Sequence, residues 1–410
     1  MPVGSRRNMN GKQGLDRGHM RGKAAAPGRS RTSSTDRRLP DGWLVLLVFG
    51  LVAFGLVMVY SASFPKALQT DEAAPAGDSP RFLRLQTGYA LIGLIAMLLV
   101  SNVHPETIRR YIPQLLFITL ALTAVTLTGF SIARTSHGAA RWLGHGSFQV
   151  QPSEFAKLAL ILYIAAKLAE GPLNGANFGR ITVRIGLALA ILVTLLLLQK
   201  DQGMTVLVGL ITLVMAYLGH MRGRWLVLSV MIAIGVLALG IQAEPYRMQR
   251  ITAHFDPLKY RTDRGWHVLV MKTTIARGGL TGLGMGMCPE KLSHLPEAHT
   301  DAIFCVVASE FGFIGALTVL MVMGLVISRI VAIAVLSSSN LGYFMAAGVA
   351  VMFAIQTLIN VGVATHLIPV TGLTLPFVSY GGSSLIASLA AIGVVLSVQR
   401  HSSHSTQVQS

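Results

Sequence analysis

Apolar residues are gathered into ten runs along the chain, and polar residues fall mainly between these runs. A helix needs about 20 predominantly apolar residues to cross a bilayer, and most of the runs approach that length. The runs lie near residues 43–62, 86–102, 113–132, 155–169, 181–199, 203–220, 224–241, 302–329, 342–364 and 383–399. The pattern predicts an all-α, polytopic membrane protein with about ten transmembrane helices.

One connection is much longer than the others, because residues 242–301 separate the seventh run from the eighth. Within it, residues 265–277 have the spacing of an amphipathic helix, and the sequence GGLTGLGMG follows at 278–286. Glycine-rich segments can cradle phosphate, but without a strand–turn–helix context a flexible hinge or close helix packing is favoured. Long connections in compact domains are usually functional, so we expect chemistry in this loop.

Composition excludes a soluble globule, and the distribution of charge indicates membrane topology. Charged residues form 12% of the chain, hydrophobic residues form 52%, and the mean hydropathy is +0.59. The net charge of +17 arises from cations at the ends of apolar runs and from the first 40 residues, a pattern unlike a nucleic-acid-binding surface. Short loops on the cytoplasmic side of membrane proteins are enriched in Lys and Arg. The modest bias here predicts that both termini are cytoplasmic and that 242–301 is an extracytoplasmic loop.

The chain divides into three predicted regions. Residues 1–42 form a disordered basic cytoplasmic tail, 43–400 form the transmembrane domain, and 401–410 form a short cytoplasmic tail. Two roles remain open for the first tail: an anchor facing anionic lipid, or a docking arm for a protein partner. Cys288 and Cys305 are the only cysteines, and we expect no disulfide because Cys305 falls inside an apolar run. No metal-ligand spacing is present.

The sequence QPSEFAKL, residues 151–158, opens the fourth run with two ionisable side chains. Glu154 and Lys157 are three residues apart on one helical face and can pair. The alternatives are a functional pair inside the span and a helix-start signal whose charges snorkel to the interface. Lys200 and Asp201 raise the same question between the fifth and sixth runs, where ordinary loop charges are favoured.

The densest group of ionisable residues is HLPEAHTDAIF, residues 294–304, at the outer start of the eighth run. It contains Glu297, His299 and Asp301. Aspartate is a favoured N-cap, so a purely structural role for Asp301 is the first alternative. The positive end of a helix also keeps a carboxylate ionised, as a general base requires.

Proline and glycine interrupt the sequence HLIPVTGLTLPFVSYGGSS, residues 366–384, which would otherwise continue a helix. Irregular backbone at membrane depth is tolerated where protein or a wet cavity satisfies its polar groups. We therefore interpret the segment as cavity lining, with an ordinary outer loop as the alternative.

Taken together, QPSEFAKL, PYRMQRITAHFDP, GGLTGLG, KLSHLPEAHTD and LTLPFVSYGGSS resemble the motifs of the SEDS family of shape, elongation, division and sporulation proteins. The resemblance covers nearly all of residues 43–400. KLSHLPEAHTD and the basic tail are closer to the division-type members, of which FtsW is one, and IPVTG at 368–372 is closer to the elongation-type RodA. The chain departs from the usual NGARRW, QPD and GEELG, but Asp301, Glu310, Lys157 and Arg141 remain.

The resemblance implies a ten-helix glycosyltransferase that polymerises lipid II into glycan strands beside a class B penicillin-binding protein and other division proteins. Its location would be the bacterial inner membrane, at the septum. It also maps the catalytic acid onto Asp301. No cofactor is implied with certainty, and a divalent cation, Mg²⁺ or Mn²⁺, is left open. A lipid II flippase, a non-catalytic scaffold and an elongation-type polymerase are the alternatives.

The remaining candidate residues are assigned to substrate binding. The cations among them would stabilise charge on the leaving diphosphate, where arginine suits bidentate phosphate contacts better than lysine. The candidates are Arg141, Glu154, Lys157, Arg247, Arg250, His299, Glu310, Ser379 and Tyr380.

Overall fold

The structure is a computed structural model, in which residues 41–68, 81–128, 133–136, 139–145, 148–173, 175, 177–242, 248, 252–260, 264–293, 295 and 298–402 are described. The basic tail up to residue 40, the last eight residues, Arg247, Arg250 and Glu297 lie outside these residues. The expectations for them stay predictions.

Helices account for most of the described chain, and each apolar run overlaps one helix, with α3 beginning eight residues before its run. The helices are α1 Gly42–Leu68, α2 Arg81–Ser101, α3 Pro105–Val125, α4 Pro152–Leu168, α5 Phe178–Leu198, α6 Gln202–Leu218, α7 Gly223–Gln242, α8 Arg264–Gly278, α9 Glu290–Ser293, α10 Ile303–Val335, α11 Asn340–Ala364 and α12 Gly382–His401.

Ten of these helices correspond to the ten apolar runs, which confirms the predicted fold class. Within the described residues, seven are long and apolar enough to cross a membrane: α1, α2, α3, α5, α10, α11 and α12. Helix α6 and residues Gly223–Val236 of α7 are apolar but shorter. Helix α4 has 17 residues and carries Glu154, Lys157 and Lys167.

The ten apolar helices run alternately up and down, so their ends gather at two opposite ends of the bundle. Polar contacts between distant parts of the chain are found at each end. At the end where α1 begins and α12 finishes, the tail end, Arg329 pairs with Asp41 at 2.5 Å, and Arg400 donates to Asn102 at 2.6 Å. At the opposite end, the loop end, Gln86 donates to the carbonyl oxygen of Ser379 at 3.2 Å. The described residues between 252 and 302, and the described candidate site residues, lie toward the loop end.

Helices α11 and α12 form the centre of the bundle. At least two thirds of their most apolar segments are buried, whereas α2, α3 and α5 bury less than a third of theirs. Glycines permit close packing of α12 on α2, since a Cβ at Gly393 would lie 2.6 Å from the carbonyl oxygen of Met97. The amides of Gln356 and Asn360 on α11 are therefore enclosed by protein, where a polar group needs an internal hydrogen-bond partner.

A small antiparallel sheet lies between α3 and α4, where no strand was predicted. Its strands are β1 Ala133–Ser136, β2 Ala139–His145 and β3 Phe148–Val150, in the order β1-β2-β3. The strands are too short to produce a long apolar run. The sheet places Arg141 of β2 against the turn between α5 and α6.

The helix predicted over 265–277 is confirmed as α8, and the glycine-rich segment after it packs closely on α10. A Cβ at Gly278 would clash with the carbonyl oxygen of Ala308. Leu283 N donates to Ser309 O at 3.0 Å, and Phe313 N donates to Gly279 O at 2.9 Å. Helix α10 is kinked at Gly312, whose φ of 69° favours glycine, so the segment pairs with backbone groups that the kink releases.

Candidate functional site

Asp301 lies in the turn immediately before α10 and is half-buried. Its Oδ1 accepts a hydrogen bond from Thr300 Oγ1 at 3.2 Å, and its backbone carbonyl accepts one from Asn360 Nδ2 at 3.3 Å. Ala302 occupies the N-cap position of α10, and that cap has no side-chain hydrogen bond. The interpretation of Asp301 as the N-cap is therefore wrong.

Two amides on α11 hold the irregular segment between α11 and α12. Gln356 Nε2 donates to Thr374 O at 3.0 Å, and Asn360 Nδ2 donates to Leu373 O at 2.7 Å. The predicted interruption is confirmed, since residues 366–381 contain no helix. Asn360 also contacts Asp301, so one side chain fixes both the turn before α10 and the segment before α12. That the segment lines a substrate cavity stays a prediction.

Glu154 and Lys157 form the expected ion pair, with Lys157 Nζ 2.7 Å from Glu154 Oε2. Lys157 is only 1% exposed and also donates to Gln356 Oε1 at 3.0 Å, so the snorkelling interpretation is wrong. Buried charges are tolerated when they are paired and hydrogen-bonded. The pair is thus joined through Gln356 to Thr374 and the irregular segment.

An aromatic cluster joins the turn before α10 to the segment before α12. Phe82, His299 and Tyr380 have ring centroids 5.1 to 5.4 Å apart, and Tyr380 N donates to His299 O at 2.8 Å. The Ser379 hydroxyl accepts a hydrogen bond from Leu375 N at 2.8 Å within the segment. The turn that carries His299 and Asp301 and the segment that carries Ser379 and Tyr380 are therefore in contact, and the roles of these four residues stay predictions.

Arg141 contacts the turn between α5 and α6. Its Nη2 donates to Lys200 O at 2.5 Å, and its Nε lies 3.6 Å from Asp201 Oδ2. Asp201 is buried and caps α6 by accepting from Met204 N at 3.2 Å, so its interpretation as an ordinary loop charge is wrong. Arg141 remains 27% exposed, and a guanidinium has five N–H donors, so it can still contact a ligand.

The Arg141 contact extends to the start of α12. Gln151 Nε2 donates to Asp201 Oδ2 at 3.4 Å, while Gln151 N donates to Ser383 Oγ at 2.8 Å. Ser384, the next residue, contacts Thr374 Oγ1 at 2.9 Å. Arg141 is thereby tied to the same irregular segment as Lys157.

Glu310 belongs to a second buried cluster, whose other members were not predicted. Lys291 Nζ lies 2.7 Å from Glu310 Oε1 and 3.0 Å from Ser61 Oγ. Ser61 also donates to Glu310 at 2.7 Å. The carboxylate is 1% exposed, so its contacts tie α1, α9 and α10 together. A neighbouring ion pair between Arg277 and Glu290, at 2.8 Å, links α8 to α9.

Two histidines whose rings are in tilted contact connect residues 252–260 of the long loop to the segment just after α11. The rings of His254 and His366 are 4.1 Å apart, and His366 Nε2 lies 2.9 Å from His254 O. Burial, followed by the charge of Lys272, lowers the pKa of His254; burial and His254 itself lower the pKa of His366. The unfolded state therefore binds more protons than the folded state when the pH falls below 6.5, the ordinary pKa of histidine. The free energy of unfolding decreases as the pH falls through that range.

The described residues give no support for a metal site. No group of three or more His, Cys, Asp or Glu side chains in this part of the chain is arranged to hold a metal ion. The divalent cation stays a prediction.

Comparison with known proteins identifies a family that matches residues 42–404: the cell cycle proteins FtsW, RodA and SpoVE. A probable peptidoglycan glycosyltransferase FtsW of Trichlorobacter lovleyi is 36% identical over 87% of this chain and 92% of its own length. Stage V sporulation protein E of Bacillus subtilis is 37% identical over 90% of this chain and 99% of its own.

Solved structures are similar over the same length. One is a chain of a peptidoglycan synthase complex described as coordinating polymerization and crosslinking, with a TM-score of 0.72 and 31% identity over 88% of this chain and 98% of that one. Another is the rod shape determining protein RodA of Thermus thermophilus, with a TM-score of 0.64 and 30% identity over 89% of this chain and 98% of that one.

Proposed function

Because the chain belongs to the FtsW, RodA and SpoVE family of cell cycle proteins, we propose that it polymerises lipid II into glycan strands for septal cell-wall synthesis. Relatives named peptidoglycan glycosyltransferases identify the chain as a glycosyltransferase. The observation that carries the proposal is the Asp301 carboxylate at the loop end, in a turn that Asn360 fixes to the irregular segment. The description of the family as cell cycle proteins supports a role in division.

In the proposed reaction, the 4-hydroxyl of one sugar attacks C1 of a sugar linked to lipid diphosphate. Asp301 takes the hydroxyl proton, the C1–O bond to the diphosphate breaks, and undecaprenyl diphosphate leaves. Attack from the opposite face inverts an α-linked donor to a β-1,4 bond. A positioned general base contributes about 10²–10⁴-fold to such a step.

The structure separates the cations that were proposed to stabilise the leaving diphosphate. Lys157 is enclosed and paired with Glu154, which supports a role in positioning the irregular segment. Arg141 is partly exposed and retains donors, so it is the described cation best suited to contact phosphate oxygens. Arg247 and Arg250 stay predictions.

A flippase would place charges along a path through the bilayer midplane. In the described part of the chain, Asp, Glu, Lys and Arg are absent from the middle third of each of the ten apolar helices. Glu154, Lys157 and Glu310 all lie nearer the loop end. This distribution supports a polymerase over a transporter.

Purified protein provides the direct test. We expect the chain to convert lipid II into glycan strands when it is reconstituted with a class B penicillin-binding protein, and the two proteins to co-purify from membranes. The similarity to a chain of a peptidoglycan synthase complex supports this partner. Absence of product from the reconstituted pair, while a known polymerase makes strands in the same vesicles, would contradict the proposal. Lipid II translocation without polymerisation would favour the flippase.

Topology is tested by labelling introduced cysteines, since the mechanism requires an extracytoplasmic loop end. Lys259 and Arg180 are both exposed, at the loop end and the tail end respectively. In a background lacking the free thiols Cys288 and Cys305, an impermeant thiol reagent should label Lys259→Cys on intact spheroplasts but not Arg180→Cys. Labelling of both after lysis is the control. The reverse pattern would place Asp301 in the cytoplasm and remove the mechanism.

A further inference from the structure

A cavity of about 350 Å³ opens at the tail end, away from the candidate site. It lies between the start of α3 and the end of α4. Its lining residues are Glu106, Arg109, Arg110, Ile112, Pro113, Tyr163, Ala166, Lys167 and Glu170. Nothing in the proposed polymerisation uses these residues, so the cavity calls for a separate explanation.

The charges of the cavity leave an excess of cations. Arg109 pairs with Glu106 at 3.4 Å, and Lys167 pairs with Glu170 at 2.5 Å. Arg110 has no carboxylate within 4.0 Å among the described residues. The cavity therefore offers one uncompensated guanidinium beside two cations that are held by exposed or half-exposed carboxylates. An anion is the ligand that this arrangement attracts.

The position of the cavity relative to the apolar surface indicates where the anion comes from. Directly after Arg110, α3 turns apolar side chains outward, and Tyr111, Leu115 and Ile118 are each more than 40% exposed. In a membrane-spanning helix such a change marks the boundary between headgroups and acyl chains, where tyrosine is enriched. The cavity thus opens at the depth of the lipid phosphates.

We propose that this cavity binds the phosphate of an anionic phospholipid headgroup, with Arg110 and Lys167 as the main contacts. Ile112, Pro113 and Tyr163 form the apolar wall against which the glycerol and first acyl carbons pack. Basic pockets between helices on the cytoplasmic side of membranes bind such headgroups. Glu170 competes with the phosphate for Lys167. Glu170 also contacts a second cation, since Arg184 Nη1 lies 3.8 Å from Glu170 Oε2.

The test measures binding of phosphatidylglycerol to the purified full-length chain in phosphatidylcholine nanodiscs, by native mass spectrometry and thermal shift. We expect Arg110→Gln and Lys167→Gln each to weaken binding about fivefold, since a cation near a lipid surface contributes about 1 kcal/mol. Glu170→Gln should strengthen binding, because it releases Lys167. Arg180→Gln is the matched control, an exposed arginine at the same end outside the cavity, and should change nothing.

Glu170→Gln and Lys167→Gln are expected to change the affinity for phosphatidylglycerol in opposite directions. If the ion pair had only a structural role, both variants would simply lose stability. Arg110→Lys should retain most of the affinity, which guards against misfolding of the glutamine variant. Three results would overturn the proposal. The first is that Arg110→Gln and Arg180→Gln bind phosphatidylglycerol equally well. The second is that inorganic phosphate raises the unfolding temperature as much as phosphatidylglycerol does, and the third is that polyglutamate raises it while phosphatidylglycerol does not.

Discussion

Replacing Asp301 with asparagine is expected to reduce lipid II polymerisation by about 10²–10⁴-fold, the contribution of a general base. Asparagine has nearly the same shape but cannot take the proton from the attacking hydroxyl. It can still accept the hydrogen bond from Thr300, and the backbone contact with Asn360 is unaffected. Because Asp301 does not cap α10, the fold should survive. Glycan products and the thermal unfolding temperature of both proteins are measured, with the partner transpeptidase present.

Asp256→Asn is the matched control for that experiment. Asp256 is an exposed carboxylate at the same end of the bundle, and its Oδ1 accepts a hydrogen bond from Lys259 N at 3.2 Å. The same chemical change there should leave product formation near normal. Near-normal product from Asp301→Asn, or an equal loss in both variants, would remove Asp301 as the base.

The architecture was predictable because the bilayer imposes a length on every span. Ten apolar runs became ten helices with ends displaced by at most eight residues, since a membrane helix must satisfy its own backbone hydrogen bonds. The Glu154–Lys157 pair was predictable for a similarly local reason, its spacing of three residues on one helix. The sequence left a flexible hinge and close packing open for the glycine-rich segment; the structure shows close packing, and its partner, the kink at Gly312, could not be predicted from the sequence.

Long-range polar contacts could not be predicted from one sequence. Gln356 and Asn360 lie inside an apolar run, 199 residues from Lys157 and 59 from Asp301 respectively. A buried amide needs a partner, and this was the only available signal that these residues belong to the site. The sequence does not say which distant carbonyl each amide will contact. The pairing of Lys291 with Glu310 was missed for a different reason: the two residues belong to separate elements, and the turn between them sets their distance.

Lys291→Met is expected to lower the free energy of unfolding by about 3–5 kcal/mol, the cost of removing one partner of a buried ion pair. The change leaves the Glu310 carboxylate enclosed, with Ser61 as its remaining partner in the cluster. Polymerisation should also fall, because Lys291 fixes α9 to α1 and α10, and the chain continues from α9 to Asp301. Thermal and denaturant unfolding of the purified proteins in detergent measures the first effect.

A second change should reverse much of this loss. In the double variant Lys291→Met, Glu310→Gln the buried charge is gone, and the neutral amide can keep a hydrogen bond to Ser61, so the double variant should be more stable than Lys291→Met alone. The unchanged protein, the two single variants Lys291→Met and Glu310→Gln, and the double variant form a double-mutant cycle. Its interaction energy measures the coupling between Lys291 and Glu310. Arg109→Met removes one partner of an exposed pair and should cost at most about 1 kcal/mol. If the two changes simply add, or if Lys291→Met costs no more than Arg109→Met, the pair does not hold the segment that leads to Asp301.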